Sequence, residues 1–253
     1  VVAVSAAAAP ERRVRAPTIF AIDTAGDVCS LALACDGAIA TMQSDPGQTH
    51  LEHVMPMIEQ LFARVARTPG DCDAFAFASG PGSFAGLRVA CTVVQGLATG
   101  CGAPVIAVGN LDALVHAAAP GGATPGTGVA VGSARALALI DARMHQAYWG
   151  AFEQGPEGWV PIGGPGICAV ADLPALAETW RPDVVAARPA AIADGLAAPG
   201  RRLAGAADLA PALCDLALRR FAQGQLLAPH DAAPLYVRDR VAQTAAERRE
   251  ARP

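Results

Sequence analysis

Hydrophobic and polar positions follow two periods along this chain. Residues 18–44, TIFAIDTAGDVCSLALACDGAIATMQS, break into short apolar runs with turn residues between them, the pattern of strands. The first expected strand covers 18–22 and ends on Asp23. TAGD is a turn and VCSLALA a second strand. Asp36-Gly37 makes a tight hairpin turn, and AIATMQS is the third strand. The period then lengthens. Leu51, Val54, Met55, Ile58, Leu61, Phe62 and Val65 recur at helical intervals, with Thr49 and Glu52 at capping-box spacing. Pro56 inside this run is expected to kink or restart the helix. AFAFAS (74–79) reads as a buried strand. A glycine-rich turn follows, then a second helix from an N-cap at Ser83 to about residue 100, the strand PVIAVGN and the short helix LDALVHAAA.

PGGATPGTG (120–128) is a linker by composition. Beyond it ALALIDARMHQAYWGAF reads as strand, turn, strand, again with an aspartate, Asp141, closing the first strand. Two strand-Asp-turn-strand units in successive halves point to an internal duplication. A helix at DLPALAETW, a strand at DVVAA, a long helix over about 209–226 and a charged tail complete the pattern. Residues 1–17 read as a disordered extension. Their arginines follow the apolar stretch, whereas a signal peptide places them before it.

At 253 residues with 53% hydrophobic and 17% charged positions, the chain can bury one large core or two smaller ones. No apolar run reaches the roughly 18 residues that span a bilayer. Seven cysteines without a C-x-x-C pair argue against a disulfide framework or a thiolate zinc site and fit a reducing cytosol. Net charge is −4, with no basic stripe in the body, which does not support tight nucleic-acid binding by this chain alone. There is no lysine, which excludes a P-loop and Schiff-base chemistry.

Candidate chemistry is sparse. Asp23 and Asp141, at strand ends facing a cleft, could hold a hydrated Mg²⁺ as in a two-lobed ATPase, or simply cap their turns. His50 and His53 lie one helical turn apart but have no evident third ligand, and His116, His145 and His230 are isolated. The cysteines have no paired base in sequence and read mostly as small core residues. No Ser/His/Asp order and no H-E-x-x-H supports a peptidase. GPGSFAGL at 80–87 can cradle a phosphate on helix N-terminal amides or let two backbones approach closely. Gly86, Ala90 and Gly96 form a small-residue strip, with Leu87, Val94 and Leu97 beside it, suited to close packing or to a partner.

AIDTAGDVCSLAL, HLEHVMPMI, ASGPGSFAGLRVACTVVQGLA, PVIAVGNLDAL, IDARMHQAYW and PLYVRDRVA resemble, in that order, the TsaB (YeaZ) family. The resemblance covers residues 18 to about 242. It implies an α/β fold of the actin/sugar-kinase/Hsp70 ATPase (ASKHA) class, in two lobes each with a mixed sheet flanked by helices. Residues 18–108 would form the first lobe, with about 209–242 packing back on it, 109–208 a smaller second lobe and 243–253 a charged tail. The implied role is a non-catalytic cytoplasmic scaffold. It binds a catalytic paralogue, TsaD, and through it the ATPase TsaE, for N6-threonylcarbamoylation of adenosine 37 in tRNA. Contact helices fall at about 49–65 and 83–100, with interface residues Leu51, Val54, Met55, Ile58, Phe84, Leu87, Arg88, Cys91, Val94 and Gln95. Asp23, Thr24 and Asp141 mark a vestigial nucleotide cleft. The resemblance further implies no metal and no cofactor for this chain (ATP and Mg²⁺ act only in the assembly), indirect contact with tRNA, no membrane, and a homodimer when alone. Two departures from TsaD stand out: Asn110 and Leu114 replace its metal-binding histidines, and Ala187-Arg188 replaces a glycine turn beside its adenosine. An independent Mg-ATP-binding ATPase or kinase of the same fold is the alternative.

Overall fold

The computed structural model describes residues 15–45, 50–119, 134–197, 202–206 and 208–238. The linker 120–128, residues 1–14 of the extension, Thr49 and the tail 243–253 lie outside them.

Fifteen main elements follow one another in the described residues. The first half holds β1 (Ile19–Asp23), β2 (Ser30–Cys35), β3 (Ala38–Gln43), α1 (His50–Arg64), β4 (Ala74–Gly80), α2 (Phe84–Cys101), β5 (Val105–Gly109) and α3 (Asn110–Ala118). The second holds β6 (Arg135–Asp141), β7 (Gln146–Gly155), β8 (Gly158–Ala169), α4 (Leu173–Trp180), β9 (Val184–Arg188), β10 (Arg202–Gly205) and α5 (Ala210–Ala222). The sheet orders are β3-β2-β1-β4-β5 and β10-β9-β6-β7-β8. Reversed, the second repeats the first, with β6 in the place of β1. In each sheet the first two pairings of the meander are antiparallel and the remaining two are parallel. The duplication hinted at by the two aspartates is therefore structural, and two mixed sheets flanked by helices form the two-lobed fold that the resemblance implies.

Side-chain alternation within the strands sets the layers. In β4, Phe75 and Phe77 point to the outer face with Phe20, Ile22, Leu31 and Leu33, where α1 and α2 cover them. Ala74, Ala76 and Ala78 point to the inner face and meet α3 and α5. The facing side of the second sheet presents Ala136, Ala138 and Ala186 to the same two helices. Small side chains on both inner faces let one helical layer serve two sheets. Leu137, Leu139 and Val185 face outward against α4.

Three helices depart from expectation. Helix α1 runs unbroken through Pro56. The proline is exposed, so the carbonyl that its missing N–H leaves unpaired can bond to water. Helix α5 stops at Ala222, short of residue 226, where Gly224 turns the chain at φ 71°. Helix α2, with a mean hydropathy of 1.3 over 18 residues, is long and apolar enough to cross a bilayer, which the sequence reading did not allow. Its Leu87, Ala90, Cys91, Val94 and Ala98 are buried against the first sheet, which makes it a core helix here.

Candidate functional site: the cleft between the halves

The two aspartates occupy equivalent strand ends and make the same turn. Asp23 Oδ1 accepts the Ala25 N–H at 2.8 Å, and Asp141 Oδ1 accepts the Arg143 N–H at 2.8 Å. They differ in what else they meet. Asp141 is partly exposed and has Arg143 Nη1 at 3.5 Å. The Asp23 side chain is fully buried, and its Oδ2 accepts from Arg188 Nη1 at 2.6 Å. Arg188, at the end of β9, thus reaches from the second half to the first.

A cavity of about 920 Å³ lies between the halves, lined by Gly82, Phe84, Asp141, Arg143, Tyr148 and Arg188 among others. Of the three cleft residues expected from sequence, only Asp141 lines it. Asp23 is sealed beneath Arg188. Thr24 is fully buried, and its hydroxyl donates to the Gly86 carbonyl at 2.6 Å, so it anchors α2 instead of facing the cleft.

The glycine loop is a packing device. Ser83 N–H donates to Ala25 O at 2.9 Å, Gly80 N–H to Asn110 Oδ1 at 2.9 Å, and Gly86 N–H to the capping Ser83 Oγ at 3.4 Å. These amides are spoken for within the chain. A Cβ on Gly82 would press on the Ala25 methyl at 2.8 Å, and one on Gly86 would overlap the Thr24 carbonyl. The loop closes against the β1–β2 turn, which is where glycine's missing side chain is needed. Asn110, 1% exposed, holds this loop, and Leu114 lies fully in the core.

Half of the expected interface residues face inward. Val54, Ile58, Leu87, Cys91 and Val94 are buried in the outer-face core of the first sheet. The reason is general: a helical apolar stripe marks what the chain's own sheet covers first. Met55 and Phe84 are exposed. Arg88 Nε donates to the Tyr236 hydroxyl at 3.1 Å and its guanidinium lies 3.9 Å from the Phe84 ring, while Gln95 Nε2 donates to Ala232 O at 3.0 Å. Leu51 lies among residues whose side chains are not described. Gly86 and Ala90 of the expected small-residue strip are buried too. Outward-facing small residues spaced four apart are Thr92, Gly96 and Gly100, with open space at both glycines.

The resemblance set about 209–242 back on the first lobe, but sequence reasoning did not foresee that residues 232–238 form a strap reaching both halves. It crosses α2, donates Leu235 N–H to Ser79 O at 2.7 Å, then reaches the second half, where Arg238 Nη2 donates to Ala142 O at 2.8 Å and Gln146 Oε1 at 2.7 Å. The quoted PLYVRDRVA block was the one signal for it.

Among the described residues no group of three or more His, Cys, Asp or Glu is placed to hold a metal. His116 is buried and pairs with Asp215 at 3.2 Å. Burial pushes the Cys29, Cys72 and Cys214 thiols up to about 12, with the Asp23 charge adding to the effect at Cys29. These are the opposite of activated nucleophiles.

A family model described as TsaD, tRNA N6-adenosine threonylcarbamoyltransferase, matches residues 44–201. The tRNA threonylcarbamoyladenosine biosynthesis protein TsaB of Escherichia coli is 30% identical, over 88% of this chain and 96% of that one. The TsaB of Haemophilus influenzae is 36% identical over 52% of each. Two solved structures from Pseudomonas aeruginosa, both 25% identical, superpose on the fold. One, described as similar to peptidase YeaZ, has a TM-score of 0.66 over 88% of this chain and 100% of its own; the other, YeaZ, has 0.64 over 87% and 99%. With its duplicated sheets, its glycine loop folded on the β1–β2 turn and relatives aligned over nearly its whole described length, the chain belongs to the TsaB (YeaZ) family of tRNA threonylcarbamoyladenosine biosynthesis proteins.

Proposed function

We propose that this chain is the non-catalytic partner of a TsaD-like subunit in N6-threonylcarbamoylation of adenosine 37 in tRNA. It docks through the outward faces of α1 and α2, with a TsaE-like ATPase joining the assembly and tRNA met through its partners. ATP and Mg²⁺ act in that assembly, in the cytoplasm, and the lone chain pairs with itself through the same face. The observation that carries this reading is the state of the cleft: the first strand-end carboxylate, Asp23, is sealed off and already holds Arg188. Asn110 and Leu114, which stand where TsaD has metal ligands, support the glycine loop and the core. What the chain does offer is a surface. Helices α1 and α2 lie together on the first sheet and expose Met55, Thr92, Gly96 and Gly100. Small residues four apart admit a second helix at short range.

Size-exclusion chromatography of the chain mixed with a TsaD-like protein tests it. The expected result is a heterodimer burying on the order of 1,200–2,000 Å², weakened at least tenfold by Thr92→Glu. Separate elution of the two proteins, or an unchanged complex with Thr92→Glu, sinks the reading.

A further inference from the structure

We propose that Arg188 is a latch built into the cleft, a cation belonging to the second half that fixes the setting of the two halves where hinged two-lobed proteins close around a dissociable ligand. Among the described residues three ties cross the cleft mouth. Arg143–Asp27, at 3.0 Å, joins side chains that are 74% and 79% exposed, so water and salt screen it. The strap contributes hydrogen bonds from Leu235 and Arg238. Arg188–Asp23 alone is dry, with side chains 12% and 0% exposed at 2.6 Å.

The seat is shaped for this side chain. Asp23 is held from the other side by the Ala25 amide, so both its oxygens are used and its direction is fixed. The guanidinium lies against Gly26, where a Cβ would occupy its place. Gly26 has no left-handed φ, so its lack of a side chain serves space and not backbone conformation. The carboxylate ends β1 and the glycine follows in the β1–β2 turn, while the arginine arrives from 165 residues away. The latch keeps the cavity in one setting without any ligand, and so presents the first half to partners unchanged.

Hydrogen–deuterium exchange on the full chain tests this. Arg188→Gln removes the cation. Gly26→Ala displaces it without changing charge. Asp23→Asn/Arg188→Gln removes both charges, so that neither is left buried alone. In all three, amides of residues 25–28 and 142–145 should exchange at least tenfold faster than in the unaltered chain. In the double variant β4 and β7 should keep their protection. The latch is refuted if the double variant shows unaltered exchange at 25–28 and 142–145, since only charge burial would then matter. It is equally refuted if exchange there rises no more than in β4 and β7, which would be general loosening.

Discussion

Gly86→Ala separates packing from phosphate binding in the glycine loop. Gly86 lies in the first turn of α2, where alanine is ordinarily better than glycine by about 1 kcal/mol. Here the added methyl would overlap the Thr24 carbonyl, with the rest of the peptide and Ala25 Cα behind it. Backbone cannot move aside by changing rotamer, so α2 and the β1–β2 turn must part. Overpacking of this kind costs roughly 1–3 kcal/mol. Parting them also breaks the 2.6 Å bond from Thr24 Oγ1 to Gly86 O between buried groups, a further loss of about 1–3 kcal/mol. Less the helix gain, the net destabilisation is about 3 kcal/mol, or roughly 140-fold in the folding constant. Gly96→Ala is the matched control: same helix, open space around the new methyl, and an expected gain of about 0.5–1 kcal/mol. Urea unfolding followed by circular dichroism measures both. If Gly86→Ala is neutral or stabilising, the loop is not packed as described and the case against a phosphate cradle fails with it.

Asn110→Ala should cost about 1–3 kcal/mol in the same urea assay, because it strands the buried Gly80 N–H; an unchanged midpoint refutes the role given to Asn110. The buried thiols set an alkaline limit. Cys29, Cys72 and Cys214 titrate at about 12 when folded and near 8.5 when unfolded. Between these values the folded state binds more protons, so their stabilisation is whole below pH 8.5 and is lost as pH climbs toward 12, by up to about 1.4 kcal/mol per pH unit per thiol. A urea midpoint that rises between pH 8.5 and 10.5 contradicts this. With a thiol reagent at pH 8, Cys101 and Cys168, both partly exposed, should react before the other five; fast labelling of Cys214 overturns that order.

The strands were legible because their period is short and their ends are marked by Asp23, Asp36-Gly37 and Asp141. The duplication was legible for the same reason. β8 was not: its Gly-Trp-Val-Pro-Ile-Gly-Gly-Pro run has too many glycines and prolines to alternate, and as an edge strand it needs no buried outer face. The glycine loop could be narrowed to two uses but not decided, since the deciding atom is the Thr24 carbonyl, 62 residues away. The direction of the helix stripes was misread because a 3.6-residue period looks the same whether the chain's own sheet or a partner covers it. Arg188 was noticed only as part of the Ala187-Arg188 pair that replaces a glycine turn. Its bond to Asp23 joins two halves that no local pattern relates.

The central claim is that the chemistry belongs to a partner and that this chain contributes a docking face. Cells depleted of the protein, then complemented with variants and assayed by mass analysis of tRNA nucleosides, put it to the test. The unaltered chain and Asp141→Ala should restore threonylcarbamoyladenosine equally, and Thr92→Glu should not. Restoration by Thr92→Glu together with failure of Asp141→Ala would place the working part of the molecule in the cleft and contradict the account.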